Sequence, residues 1–394
     1  MTAGPPGDVP GDVPTDRPTD RPTGVPTDGP TEDELRASCT RFLNGYGYRS
    51  TAAALAEVTE ELGEVEADWY GEGGVVAELE AEVRDLLGKP AAVFMPSGTM
   101  AQQIALRVHA DRTGRRVVLW HPTSHLALHE DQAAERLHGL QPRPVGDPRA
   151  LMTLEDLDGV AEYAAALLIE LPQRELGGLL PSWDDLVAQT SLARSHGTAT
   201  HLDGARLLES LPFYDRPAAE VAELFDSVYL SLYKGVGGLA GCVLAGEEQL
   251  VAEAREWRHR HGGTLFAMWP YAAAGLAGLR RRASLVPRYV DHARAVCAEL
   301  ARVEGLSVVP DPPPTNMAHL YLRVDPEAYA AAARALALEE KTWVWPKAGV
   351  TDLPGWRRVE LNAGDATLEW TPAEVREVVE RLLSRARAGS ASGA

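Results

Sequence analysis

Apolar and polar positions alternate along this chain on two different periods. Short unbroken apolar runs fall at Ala91–Met95, Val117–Trp120, Ala166–Leu171, Thr198–Leu202, Val228–Leu232 and Gly241–Leu244. Their length and composition predict buried strands. Between them, Val75–Leu87, Thr99–His109 and Trp183–Ser195 repeat apolar residues every three or four positions, which predicts helices packed by one face. Strand and helix in alternation predict an α/β domain with a parallel sheet and right-handed crossovers. The rhythm changes after a helix-rich stretch near Pro270–Glu304, where the strand patterns Leu306–Val309 and Ala318–Val324 lead into a closing helix. That helix has its own start signal, the capping box Thr371-Pro372-Ala373-Glu374, and Val375, Val378, Val379, Leu382 and Leu383 share one face. A smaller α+β domain is expected there.

The two ends read differently. Residues 1–31 place proline at every fourth position, as in Val13-Pro14-Thr15-Asp16 followed by Arg17-Pro18-Thr19-Asp20, which denies helix and sheet bonds and offers nothing apolar to bury. A disordered, solvated tail is expected, and residues 387–394 are expected to fray. The larger domain with its N-terminal segment then spans 32–285 and the smaller one 286–386. A formal net charge of −19 and a pI near 5.0 disfavour nucleic acid and anionic membranes as partners, since both repel such a surface. Cys39, Cys242 and Cys297 are widely spaced and form neither metal-ligand pairs nor a disulfide framework. With no leader-like or membrane-spanning apolar run, a soluble cytoplasmic protein is expected.

Two strand ends carry the candidate chemistry. Asp203, in His201-Leu202-Asp203-Gly204-Ala205-Arg206, and Lys234, in Ser231-Leu232-Tyr233-Lys234-Gly235, each follow an apolar run that delivers its last residues to a crevice. Pyridoxal 5′-phosphate needs a lysine amine to condense with its aldehyde and a carboxylate to hold its ring nitrogen protonated, and these two residues suit those tasks. Either one alone is more often structural or solvated. The run Phe94-Met95-Pro96-Ser97-Gly98-Thr99 turns a strand into a helix, whose N-terminal N–H groups and dipole suit a phosphate. An ordinary turn with Thr99 as its cap would look the same.

Taken together, Leu86–Ala101, Tyr70-Gly71-Glu72-Gly73, the His201–Arg206 element and Lys234-Gly235-Val236-Gly237-Gly238 resemble the threonine aldolase / β-eliminating lyase family of fold-type I pyridoxal-phosphate enzymes. The resemblance covers roughly residues 66–280, with the chain as a divergent member. It implies a large cofactor domain with a mainly parallel sheet, a smaller α+β domain, and a homodimer or homotetramer with shared active sites. It implies Lys234 as the Schiff-base lysine, Asp203 at the ring nitrogen, Arg206 beside the ring, and Ser97, Gly98 and Thr99 at the phosphate. His125 matches the family histidine that stacks on the ring and handles the substrate hydroxyl proton, although a histidine there also serves as a cap or core residue. Glu130 matches a position beside the site, and His129 precedes it; both are candidates for substrate contact. Arg357, or Arg358 one position on, stands where the family grips the substrate carboxylate, a task that suits a bidentate guanidinium. No metal is implied.

Several family signatures are altered. Leu171-Pro172-Gln173-Arg174-Glu175 replaces the segment bearing a second active-site histidine, and Tyr233 replaces the serine before the lysine. Phe266 stands where the family has a phosphate-binding arginine, which makes Arg258 and Arg260 candidates to compensate. Arg41–Ser50 replaces the family's N-terminal substrate element. The leading expectation is therefore aldol cleavage of a β-hydroxy-α-amino acid to glycine and an aldehyde, or the reverse condensation. β-Elimination or side-chain exchange on an amino acid with the same cofactor is the second reading, and a catalytically silent scaffold the third. Retention of both Lys234 and Asp203 argues against the third.

Overall fold

The structure is a computed structural model that describes residues 29–160 and 162–392. The chain divides into two compact units, one of residues 49–293 with 313–317, the other of residues 29–48, 294–312 and 318–392. Most of the expected proline-rich tail lies outside the described residues. Its last residue, Thr31, caps the helix Glu32–Ser38 through a capping box with Glu34.

A seven-stranded sheet forms the centre of the larger unit, in the order Ala91–Met95, Cys242–Gly246, Ser227–Ser231, Ala199–Gly204, Ala166–Glu170, Val117–Trp120 and Gln141–Pro144. The strands from Ser227–Ser231 to Gln141–Pro144 pair in parallel. Cys242–Gly246 runs antiparallel to both its neighbours, Ala91–Met95 and Ser227–Ser231. The sequence predicted a parallel sheet; this strand reverses because only the loop 232–241, with no crossover helix, separates it from Ser231. That loop carries Lys234. Every residue of Ala166–Glu170, Ser227–Ser231 and Cys242–Gly246 is buried, as their apolar runs require. Helices Gly98–Thr113 and Glu248–Arg260 pack Ile104, Ala105, Val108, Leu250 and Val251 against Val93, Met95 and Leu244. Gln141–Pro144 is largely exposed, and its prolines are tolerated because it is an edge strand. Its Gln-Pro-Arg-Pro sequence offers no apolar signal.

The smaller unit holds a four-stranded sheet ordered Gly349–Val350, Trp356–Asn362, Met317–Arg323, Leu306–Val309. Helices Pro326–Glu340 and Pro372–Ser392 supply Tyr329, Leu336, Val375, Val379 and Leu382 to its core. The closing helix continues through Ser392, over most of the segment expected to fray. Its Ala- and Arg-rich sequence favours helix there, and Ser390 Oγ donates to Ala386 O at 3.0 Å. Residues 32–48, expected with the larger domain, group with this unit instead. The physical reason is a short parallel ladder between Arg41–Phe42 and Thr342–Trp343, reinforced by Trp370 Nε1 donating to Phe42 O at 2.9 Å.

Candidate active site

The parallel strands Ala166–Glu170, Ala199–Gly204 and Ser227–Ser231 end on one side of the sheet. A pocket of about 210 Å³ opens there, lined by Ser97, Gly98, Thr99, His125, Glu130, Asp203 and Lys234 among others. Seven of the residues singled out from sequence therefore meet in one place.

One wall is the turn from strand Ala91–Met95 into helix Gly98–Thr113. Ser97 is the N-cap residue, in extended conformation, and its side chain makes no capping bond. The carbonyls beneath the turn are occupied: Cys242 Sγ donates to Met95 O and Ser97 O at 3.6 and 3.5 Å, and Arg258 Nη1 donates to Phe94 O at 2.8 Å. A first helical turn free of side-chain caps and lining a pocket is suited to an anion. Gly98 is required, because a Cβ would fall on the Tyr229 hydroxyl oxygen. Arg258 thus supports the strand from a buried position, and Arg260 pairs with Glu256 on the surface at 2.8 Å. Phe266 sits edge-on to Trp69 and Tyr70.

Asp203 lies within its strand, in register with Glu170 on one side and Tyr229 on the other. Its Oδ1 accepts from Ala205 N at 3.1 Å. Burial raises the pKa of its carboxyl, and the charge of Lys234 pulls it back. The Lys234 amine mirrors this, lowered by burial and raised by Asp203. The loop that presents the lysine is held by Gly238 N donating to Leu232 O at 2.8 Å and Arg49 Nη2 donating to Gly237 O at 2.7 Å. Arg206 lies 3.8 Å from buried Glu209, whose carboxylate occupies the space a Cβ on Gly235 would need.

His125 begins a short helix, His125–His129. Burial, with the Lys234 charge second, pushes its imidazole down to about 3, so it is neutral at ordinary pH. Its backbone N–H donates to Glu170 Oε2 at 3.1 Å, and Arg174 N donates to the other oxygen at 3.1 Å. Glu130 lies 4.0 Å from His125 Nε2; burial followed by the Asp203 charge pushes it up to about 8, with the Gln103 and Thr99 side chains pulling it only partly back. His129 turns to Glu175, 3.2 Å away, and does not line the pocket. Gln173, at the altered family segment, donates to Thr123 O at 3.1 Å and so ties down the loop before His125. Arg357 and Arg358 belong to the strand Trp356–Asn362 of the smaller unit and are not among the residues lining this pocket.

Gln102, Glu170, Glu209 and Tyr229 also frame the site, and the sequence reading did not assign them a role. Glu170 carried the same signal as Asp203, an acid closing an apolar run. Gln102, inside a helix, and Tyr229, inside a strand, carried none. An uncapped helix start, a buried carboxylate and a buried amine beside it fit the phosphate, ring nitrogen and aldehyde of pyridoxal phosphate.

The family model for beta-eliminating lyases matches residues 50–324. The chain belongs to the beta-eliminating lyase family. This lyase is 32% identical over 272 residues to the low specificity L-threonine aldolase of Escherichia coli (strain K12), a span of 67% of this chain and 79% of that one. A crystal structure of a proposed L-allo-threonine aldolase from Listeria monocytogenes EGD-E superposes with a TM-score of 0.83 at 37% identity, over 89% of this chain and 98% of that one. One from Exiguobacterium sp. 255-15, proposed to be an aromatic amino acid beta-eliminating lyase/threonine aldolase, gives 0.83 at 35% identity, over 89% and 99%. The lyase has the fold-type I architecture, and its cofactor is pyridoxal 5′-phosphate. The silent-scaffold reading is set aside.

Proposed function

We propose that the lyase cleaves the Cα–Cβ bond of a β-hydroxy-α-amino acid of threonine type to glycine and an aldehyde, or runs the reverse condensation. The observation that carries this is the meeting of Lys234, Asp203 and His125 at one pocket beside an uncapped helix start. Bound there, pyridoxal phosphate supplies an aldehyde that takes up amines and a ring that accepts the electron pair released at Cα. The start of helix Gly98–Thr113 holds the phosphate. Asp203 would supply the anion that keeps a proton on the ring nitrogen, its carboxyl raised by burial and drawn back by the Lys234 charge. Lys234 Nζ, whose pKa is lowered by burial, would be the amine that holds the cofactor's aldehyde. His125, neutral through burial, takes the β-hydroxyl proton. The threonine aldolase names of the relatives support the substrate class.

A cytoplasmic location is part of the proposal, supported by three free buried cysteines and by the lack of a helix long and apolar enough to cross a membrane among the described residues. So is a homodimer or homotetramer, supported by the exposed aromatic cluster of Trp69, Tyr70 and Phe266. Light scattering that returns a monomer would count against it. The activity test is product analysis with threonine and allo-threonine in the presence of pyridoxal phosphate. Glycine and acetaldehyde are expected, and Lys234→Ala is expected to abolish both. A keto acid with ammonia would replace this reading with β-elimination, and turnover retained by Lys234→Ala would overturn it.

A further inference from the structure

Behind the pocket runs a chain of four buried polar side chains that the proposed chemistry does not use. His109 Nε2 lies 2.8 Å from Ser227 Oγ, Ser227 Oγ lies 2.7 Å from His201 Nδ1, and His201 Nε2 lies 2.6 Å from Gln102 Oε1. All four residues are at most 4% exposed. Their placement follows from the fold. His201 precedes Asp203 by two positions on one strand and shares its face. Ser227 is the register partner of His201 on the next strand, and Gln102 and His109 lie two turns apart on helix Gly98–Thr113.

The direction of this chain is fixed at its pocket end. Gln102 lines the pocket beside Asp203, its buried Nε2 meets no hydrogen-bond partner within reach, and its amide is the last of the groups that hold the Asp203 pKa down. A carboxylate only accepts, so it selects the amide orientation that turns Nε2–H toward Asp203 and Oε1 away. Oε1 then requires a proton on His201 Nε2, which leaves Nδ1 as an acceptor. Ser227 must donate to Nδ1, and its oxygen must accept from His109 Nε2–H. Burial keeps both imidazoles neutral, His109 pushed down to about 4 and His201 to about 3, with the Ser227 backbone drawing His201 only partly back.

We propose that His109, Ser227 and His201 are positioning residues that fix the orientation of the Gln102 amide, and through it hold the Asp203 carboxylate ionised where the cofactor ring nitrogen binds. This rests on the role assigned above to Asp203. Without the relay the amide is free to turn its oxygen toward the carboxylate. The acid would then take up a proton more readily and lose its grip on the ring nitrogen. A purely structural role would cost stability and leave cofactor binding by the folded protein unchanged.

The first measurement is nitrogen-15 NMR of the full-length, cofactor-free protein labelled at histidine, which needs no variant to fold. His201 and His109 are expected as neutral Nε2–H tautomers from pH 5.5 to 8.5; an Nδ1–H tautomer at His201 would overturn the relay. The second is a double-mutant cycle read by pyridoxal phosphate affinity and by the pH at which the bound cofactor's visible absorption changes. Ser227→Ala is expected to weaken binding about tenfold in the wild-type background and to have no further effect in a Gln102→Leu background. Equal losses in both backgrounds would overturn the proposal. Failure of the wild type to bind pyridoxal phosphate would instead sink the reading of Asp203, whatever tautomers the histidines show.

Discussion

A methyl group at Gly98 would meet the Tyr229 hydroxyl, which makes this position a sensor of how tightly the turn into helix Gly98–Thr113 is set. Gly98→Ala is expected to cost about 1–3 kcal/mol of stability, the usual range for overpacking, and to weaken pyridoxal phosphate at least tenfold. Tyr229→Phe in the same chain removes the oxygen and is expected to recover part of both losses. Urea denaturation and a cofactor titration check this, and a fully stable, fully binding Gly98→Ala protein would contradict it. His125 gives a second test, through pH. Its folded pKa of about 3 lies below the unfolded value, so between about pH 3 and 6.5 the unfolded chain binds a proton that the folded cofactor-free protein refuses. Stability from this group is therefore present above pH 6.5 and lost as pH falls. Relative to wild type, His125→Phe is expected to gain about 2 kcal/mol between pH 7 and pH 4.5. Parallel stability curves for the two proteins would show that His125 titrates normally. The roles proposed for Lys234 and Asp203 were legible in sequence because each closes an apolar run, whereas that of His125 came only through the family resemblance. Those of Gln102 and Tyr229 were not, because a polar residue inside a helix or strand shows its direction only once the sheet is assembled.

Among the elements, helix Trp269–Arg282 packs against the loop that carries Lys234. It turns glycines toward the loop 232–241: a Cβ on Gly278 would stand 2.5 Å from Val236 O, and one on Gly275 would strike Leu232. Helix propensity alone makes Gly278→Ala stabilising by about 1 kcal/mol. The rigid carbonyl opposite reverses the sign. A net loss of about 1–3 kcal/mol is expected, together with weaker cofactor binding as the Lys234 loop moves, both measurable by the same denaturation and titration. A stabilised Gly278→Ala protein would show that the loop gives way freely. The larger elements were largely written in the sequence, since strands buried on both faces must be unbroken apolar runs. Cys242–Gly246 showed its existence but not its direction, which depends on the connection before it. Gln141–Pro144 showed neither, because an edge strand is held by backbone bonds that leave no pattern in side chains. Residues 32–48 joined the smaller unit through the pairing of Arg41–Phe42 with Thr342–Trp343, a contact some 300 positions distant that no local pattern encodes.

At the scale of the whole molecule the decisive quantity is charge. The chain carries a formal −19, and the pocket holds Glu130, Asp203 and Lys234, with the charges of Glu170, Glu209 and Arg206 close enough to act on the lysine. Pyridoxal phosphate arrives as an anion. Two opposing fields therefore act on its approach: long-range repulsion from the whole surface, and short-range attraction from the lysine, the arginine and the helix start. Repulsion between charges far apart is screened first, since the Debye length falls from about 30 Å at 0.01 M salt to about 10 Å at 0.1 M. Contacts inside the pocket are only a few ångströms long and largely shielded from salt. The association rate is therefore expected to rise as salt is added over that range, while the dissociation rate stays nearly constant. Stopped-flow absorbance with pyridoxal phosphate at graded potassium chloride reads both rates. A rate that falls with salt would mean that the cations in and beside the pocket outweigh the rest of the molecule and steer the cofactor in.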